Sequence, residues 1–153
     1  MDVRRGARLI AVLITFAGCV GGCGEASRSG HRVPGPSVIA FRRRAEAICS
    51  QARVQVIVAL ASVRSQRDAY FTVIDYERRS LARLARVPAP YDMRQQYRRM
   101  LTALGKRQAF GRRVVAVFGD RKRMAPFQVA RFHQVQTATR LALGLGIRQC
   151  PYL

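Results

Sequence analysis

Three acids close together, Asp68, Asp75 and Glu77, are the residues of this chain best placed for acid–base work or for holding a cation. Asp68 and Asp75 stand seven apart, a spacing that puts both on one face of a helix. Each also has a structural use. Ser65-Gln66-Arg67-Asp68 has the spacing of a capping box, and Asp75 precedes Arg79 by four, a favourable ion-pair spacing. Arginines surround the whole group, so partnered carboxylates are expected rather than a catalytic pair. Glu77 falls near the inward stripe of its segment and requires a partner if it is buried. His133 has no Ser or Cys at a spacing that suggests a nucleophile with its base. His31 is the only other histidine and there is no CxxC, which makes zinc a poor candidate. No catalytic residue, metal or cofactor is expected.

The remaining chemistry is cationic. Arg42, Arg43 and Arg44, Arg78 and Arg79, Arg98 and Arg99, Arg112 and Arg113, and Arg121, Lys122 and Arg123 form five clusters. The guanidinium fork matches phosphate and carboxylate oxygens in pairs. The chain carries a formal charge of +20, from 28 basic and 8 acidic residues. Charge of that size favours solubility and attraction to polyanions, at some cost in self-repulsion. The clusters are spread along the whole chain, which suggests a generally positive surface. Tyr70, Phe71, Tyr76, Tyr91 and Tyr97 could stack on bases or sugars, but aromatics at helical spacing are more often core.

These side chains sit behind an export-type leader. Arg4, Arg5 and Arg8 form a positive start, and Leu9 to Ala17 is an unbroken apolar run. That run is shorter than the roughly 17–25 residues of a membrane-crossing helix and has the layout of a signal peptide. The cysteines that follow resemble a bacterial lipoprotein signal. Val20-Gly21-Gly22-Cys23 fits a lipobox better than the stretch ending in Cys19, where Phe16 holds the first place. Residues 1–22 are thus expected to be removed and Cys23 to be lipidated, the alternative being plain secretion with cleavage near Ala26. The cut leaves 25 basic and 7 acidic residues, a net +18. Residues 23–36, rich in Gly, Ser and Pro, read as a flexible tether.

Residues 37–153 have helical periodicity throughout. Phe41, Ala45, Ile48, Ala52, Val56, Ala59 and Val63 share one face. The β-branched run Val54 to Val58 could argue for a strand, but its flanks continue the helical period. A second segment after Ser65 carries Tyr70, Ile74, Leu81 and Leu84 inward. Without Gly or Pro before it, one long kinked helix is the alternative. Pro88-Ala89-Pro90 is a firm break. Asp92 with Gln95 looks like another capping pair, opening a segment with Tyr97, Met100, Leu101, Leu104, Val115 and Phe118 inside, ended by Gly119. Pro126 suits a first helical position, and Phe127, Ala130, Gln134, Ala138, Leu141 and Leu145 form the last stripe. The expected fold is an all-α bundle of three to four antiparallel helices.

With Cys19 removed and Cys23 acylated, Cys49 and Cys150 are left as a pair, and in an oxidising compartment a disulfide is expected. A reactive thiol or metal ligand is the alternative.

Ala45 to Cys49 (Ala-x-x-Ile-Cys), Leu81 to Pro90 and Gly144 to Cys150 (Gly-Leu-Gly-x-x-x-Cys) resemble features of a loose group of small predicted lipoproteins and secreted proteins of high-GC actinobacteria. The resemblance implies a cysteine-stapled helical bundle and no known activity. The residues themselves lead to an exported, lipid-anchored binding or structural module, not an enzyme. Its expected partners are anionic membrane lipids or phosphate-bearing wall polymers. Nucleic acid is permitted by charge but supported by no motif, and a cation site or enzyme on Asp68, Asp75 and Glu77 is the third possibility.

Overall fold

A computed structural model describes residues 36–150. The leader, Cys23 and most of the tether lie outside those residues. The described chain is all-α: α1 (Val38–Leu60), α2 (Gln66–Leu84), a short 3₁₀ turn (Tyr91–Met93), α3 (Arg94–Ala116) and α4 (Arg121–Gly144). No helix among the described residues is long and apolar enough to cross a membrane.

Local chemistry accounts for where the helices begin. The Ser37 hydroxyl accepts from the Ala40 amide at 3.1 Å and caps α1. The β-branched run Val54 to Val58 is helical. The first two segments are separate helices although neither Gly nor Pro divides them. Ser62 donates its hydroxyl to the Ala59 carbonyl, and Ser65 caps α2 by accepting from the Asp68 amide at 3.1 Å. The Asp68 carboxylate accepts a hydrogen bond from the Ser65 hydroxyl at 2.6 Å instead of from an amide, so the box is closed differently from the expected one.

Two starts differ from the expected ones. Asp92 caps nothing: α3 grows out of the 3₁₀ turn with Met93 at its N-cap and no side-chain cap. Pro90 fixes that entry, its carbonyl receiving the Met93 amide. Pro126 is not at the first position of α4 but inside it, because Asp120 accepts from the Arg123 amide at 3.1 Å and starts the helix earlier.

The helices run up and down. Side-chain contacts pair Gln51 with Arg83 across α1 and α2, Tyr97 with Leu84 across α2 and α3, and Gln96 with Leu141 across α3 and α4. α3 packs against both α2 and α4, and α1 packs against α2. The main core lies at one end, where Phe41, Cys49, Leu84, Tyr97, Met100, Leu145 and Ile147 are buried together. Phe41 meets the Tyr97 ring edge-on at 4.9 Å. Along α1 the expected stripe holds to Ala52, but Val56, Ala59 and Val63 are only half-buried.

The segment after α4 fastens α1. Gly146 has a φ of 73° and turns the chain so that Ile147 enters the core. Cys150 then bridges to Cys49, with Cα atoms 4.9 Å apart and a sequence separation of 101. Arg42 Nε donates to the Leu145 carbonyl at 2.8 Å, and the Arg148 amide donates to Glu46 Oε1 at 3.0 Å.

Two outcomes test this packing. Replacing both Cys49 and Cys150 by Ser should lower unfolding free energy in denaturant titrations by about 4–5 kcal/mol, the chain-entropy value for a loop of this length. Tyr97 donates its hydroxyl to the Leu84 carbonyl at 2.8 Å, and burial pushes its phenol from 10.0 up to about 12. The folded value lies above the unfolded one, so the neutral phenol stabilises fully below pH 10 and that contribution is lost as pH rises towards 12. Tyr97→Phe should cost about 1 kcal/mol at neutral pH and flatten the alkaline decline, read by urea melts across that range.

Candidate functional site

The arginine clusters have different fates in the fold. Arg42 is engaged by the end of α4, as above. Arg78 donates to Asp75 at 2.7 Å and Arg79 pairs with the other oxygen of the same carboxylate, so this cluster is largely neutralised by its own helix. Arg79 also lies 4.4 Å over the Tyr76 ring. Arg113 sits between the Phe110 and Phe127 rings and, with Arg123, borders a hollow where α3 meets α4. Arg43, Arg44, Arg112, Arg121 and Lys122 are exposed.

Arg98 and Arg99 are different, because the fold gives them company. They line a groove of about 520 Å³ between α3 and α4 with Gln95, Thr102 and Lys106 from α3, and Gln134, Thr137 and Arg140 from α4. Ala103 and Leu141 form its apolar floor. Helical geometry explains the grouping. Positions 95, 98, 99, 102 and 106 recur at three- and four-residue steps, on the side of α3 opposite Tyr97, Met100 and Leu104. The antiparallel crossing then brings Gln134, Thr137 and Arg140 to the other bank. The lining holds four cations, two hydroxyls and two amides, and no carboxylate. Such a surface presents donors to an anion at many points and has no internal counter-charge to displace.

Arg98 and Arg99 were legible as a cluster in the sequence, whereas Lys106 and Arg140 were not. The polar stripe running from 95 to 106 is a readable signal for Lys106. Arg140 stands alone on α4 and joins the group only through the helix crossing.

The three acids do not converge. Asp68 is committed to the α2 cap and Asp75 to Arg78 and Arg79. The Arg78 hydrogen bond, opposed by desolvation and helped by both arginine charges, holds Asp75 below the usual carboxylate value. Glu77 is buried, at 8 % exposure, and has the partners its position demands. Its Oε1 accepts from Arg107 of α3 at 2.6 Å and also from Arg131 of α4. Sequence periodicity put Glu77 at the boundary but could not name these partners. Gly111 is what lets them meet, because a Cβ there would stand 3.0 Å from Ile74 and 3.3 Å from Arg131 Nε. Burial, reinforced by the Arg131 charge and opposed by Glu77, lowers the Arg107 pKa from its ordinary value. Among the described residues, no group of three or more His, Cys, Asp or Glu could hold a metal.

The aromatics form no common platform. Tyr97 is buried, Tyr70 packs edge-on against Phe118, and Phe71 and Tyr91 are exposed beside Arg67 and Arg94. His133 is exposed on α4.

Compared with known proteins, the chain matches no family model, no curated protein and no solved structure.

The two ionic clusters predict very different costs. Glu77→Ala leaves the buried Arg107 guanidinium facing the half-buried one of Arg131 and should cost about 3–5 kcal/mol. Asp75→Ala, at a pair open to solvent, should cost less than about 1 kcal/mol. Because Asp75 is depressed, its contribution is present above the unfolded value near 3.8 and disappears as pH falls through the lower folded value. Stability measured from pH 5 downward should therefore converge for the Asp75→Ala and parent chains at the acid end.

Proposed function

We propose that this chain is an exported, basic helical bundle, lipid-anchored at Cys23, that binds anionic components of the cell envelope through the groove between α3 and α4. The reading extends the resemblance to actinobacterial lipoproteins, and its ligands are phospholipid headgroups or phosphate-bearing wall polymers. One observation carries it: Arg98, Arg99, Lys106 and Arg140 line a single groove in which no carboxylate answers them.

The physics is that of a point-by-point electrostatic contact. Arg98, Arg99 and Arg140 offer forked donors to phosphate oxygens, Lys106 adds a mobile charge, and Thr102, Gln95 and Gln134 fill in neutral donors, the Thr137 hydroxyl being committed to the His133 carbonyl. Repeated phosphates suit an elongated groove better than a single ion does. A single acyl anchor gives weak, reversible attachment, and a basic domain beside it supplies the second signal that stable association needs. A disulfide, which persists in oxidising compartments, is compatible with export.

The test is co-sedimentation with vesicles of anionic or of neutral phospholipid, and with phosphate-bearing wall fragments, across a range of salt. Binding should be confined to the anionic surfaces and should fall as ionic strength shortens the screening length. Replacing Arg98, Arg99, Lys106 and Arg140 together by Ser should reduce partitioning by roughly 10²–10³-fold, on about 1 kcal/mol per basic residue near an anionic surface. Equal loss on replacing Arg43, Arg44, Arg121 and Lys122 would assign the binding to overall charge instead of the groove. Duplex DNA that displaces the protein from anionic vesicles at matched phosphate concentration would favour the nucleic-acid alternative.

A further inference from the structure

The end of the bundle away from the disulfide contains a second, unrelated arrangement of charge. The backbone of α1 approaches α2 and stays apart from that of α4, and a cavity of about 300 Å³ is lined by the C-terminal part of α1 together with residues of α2, α3 and α4. Its polar lining includes Arg53, and within it Arg107 and Arg131 share one carboxylate, Glu77. Its other wall is apolar, with Ile57 from α1 and Val73 from α2.

The charges inside do not balance. One carboxylate oxygen, Glu77 Oε1, serves both Arg107 and Arg131. The Nε atoms of those two arginines and the other carboxylate oxygen, Glu77 Oε2, are each buried without a hydrogen-bond partner, two donors against one acceptor. Arg107 is only 7 % exposed, so bulk water does not solvate it. An interior guanidinium with an unused N–H bears a desolvation cost that an acceptor would remove. A metal ion is the wrong occupant, because the wall carries an excess of positive charge. An anion is the right one. The apolar side specifies more: Ile57 is 59 % exposed, and Val54 and Val58 beside it on α1 are 57 % and 67 % exposed, so the apolar wall runs out of the cavity onto the surface.

We propose that this cavity binds a small organic anion, its oxyanion head held by Arg107 and Arg131 and its apolar body lying along Val73, Ile57 and the exposed face of α1. The head is a carboxylate or a phosphate monoester, and Glu77 is the intramolecular competitor that the ligand partly displaces from the two guanidinium groups. The site is independent of the groove between α3 and α4, which contributes none of its residues.

The experiment uses the bridged protein and three probes, sodium hexanoate, hexyl phosphate and hexanol, with sodium chloride at matched ionic strength as the control. Arginine Nε–H resonances report directly on the two orphaned donors. Saturable shifts of the Arg107 and Arg131 signals with hexanoate or hexyl phosphate, and none with chloride, are expected, and the tighter of the two probes identifies the head group. Glu77→Gln removes the competitor and should tighten binding about tenfold, while Arg131→Met should weaken it by about tenfold or more, the scale of one charge-assisted hydrogen bond. The Ser replacements in the α3–α4 groove should leave hexanoate binding unchanged, which separates this site from the envelope-binding one. Unmoved Nε–H signals in the parent chain would overturn the proposal whatever the variants do. Hexanol binding as tightly as hexanoate, or affinity unaltered in Glu77→Gln, would overturn it equally.

Discussion

Closure of the bundle rests on the residues that follow α4, because the backbones of α1 and α4 stay apart even though Phe41 and Ala45 share a core with Ala138 and Ala142. Between them runs the segment from Leu145 to Cys150, with Leu145, Ile147 and Cys150 turned inward. Three kinds of bond hold it at once: the Cys49–Cys150 bridge, the Arg42 donation to the Leu145 carbonyl and the Arg148 amide on Glu46. Arg42 also approaches the negative end of the α4 dipole, a favourable place for a cation. A cross-link between such distant positions removes much of the unfolded chain's freedom, which suits a small domain with a limited core. The same clasp decides where packing is dense. Phe41, Leu84, Tyr97, Met100 and Leu145 gather near the bridge, whereas the last turns of α1 leave Val54, Ile57 and Val58 in solvent.

That asymmetry explains why charge can sit inside the other end. A bundle with all helices in mutual contact would have filled the space between α1 and α4 with apolar side chains. Here Arg107 and Arg131 reach across it to Glu77 instead. Burying such a triad is weak evidence for stability, since well-packed apolar residues of similar size often do better. Its retention with an uneven charge count is what makes the interior a place for a ligand.

The helices themselves were legible because their physics is local. Apolar residues at three- and four-residue steps mark Phe41 to Ala52, Ile74 with Leu84, and Tyr97 to Leu104 as inward-facing, and all but the half-buried Ile48, Leu81 and Leu101 are buried; of the other positions expected inside, Val115, Ala138 and Leu145 are buried, whereas Tyr70, Phe118, Phe127, Ala130, Gln134 and Leu141 are only half-buried. The all-α architecture and the pairing of Cys49 with Cys150 follow from periodicity and parity, and the structure has both. The failures are also local in kind. Asp92 had the right neighbour for a cap, but Pro90 imposed a 3₁₀ turn first; Pro126 had the right type for a helix start, but Asp120 had already begun one. What the sequence could not reveal depends on helix crossings. Arg140 joining Arg98, Arg99 and Lys106, and Arg131 joining Arg107 at Glu77, require knowing which helix lies against which, and no periodicity within one segment carries that information.

The scarcity of carboxylates links the fold to the surface. Among the described residues there are six acids, and five have structural partners: Glu46 on the Arg148 amide, Asp68 at the α2 cap, Asp75 on Arg78 and Arg79, Glu77 on Arg107 and Arg131, and Asp120 at the α4 cap. The sixth, Asp92, lies exposed in the 3₁₀ turn and does not line the groove. Among the described residues, folding therefore uses nearly all of the negative charge to cap helix starts and hold helices together, and no carboxylate lines the groove with Arg98, Arg99, Lys106 and Arg140. A chain with more acids could satisfy the same caps and still cancel its surface. In the described domain the acids are occupied in this way, so the positive field at the groove is a consequence of the architecture.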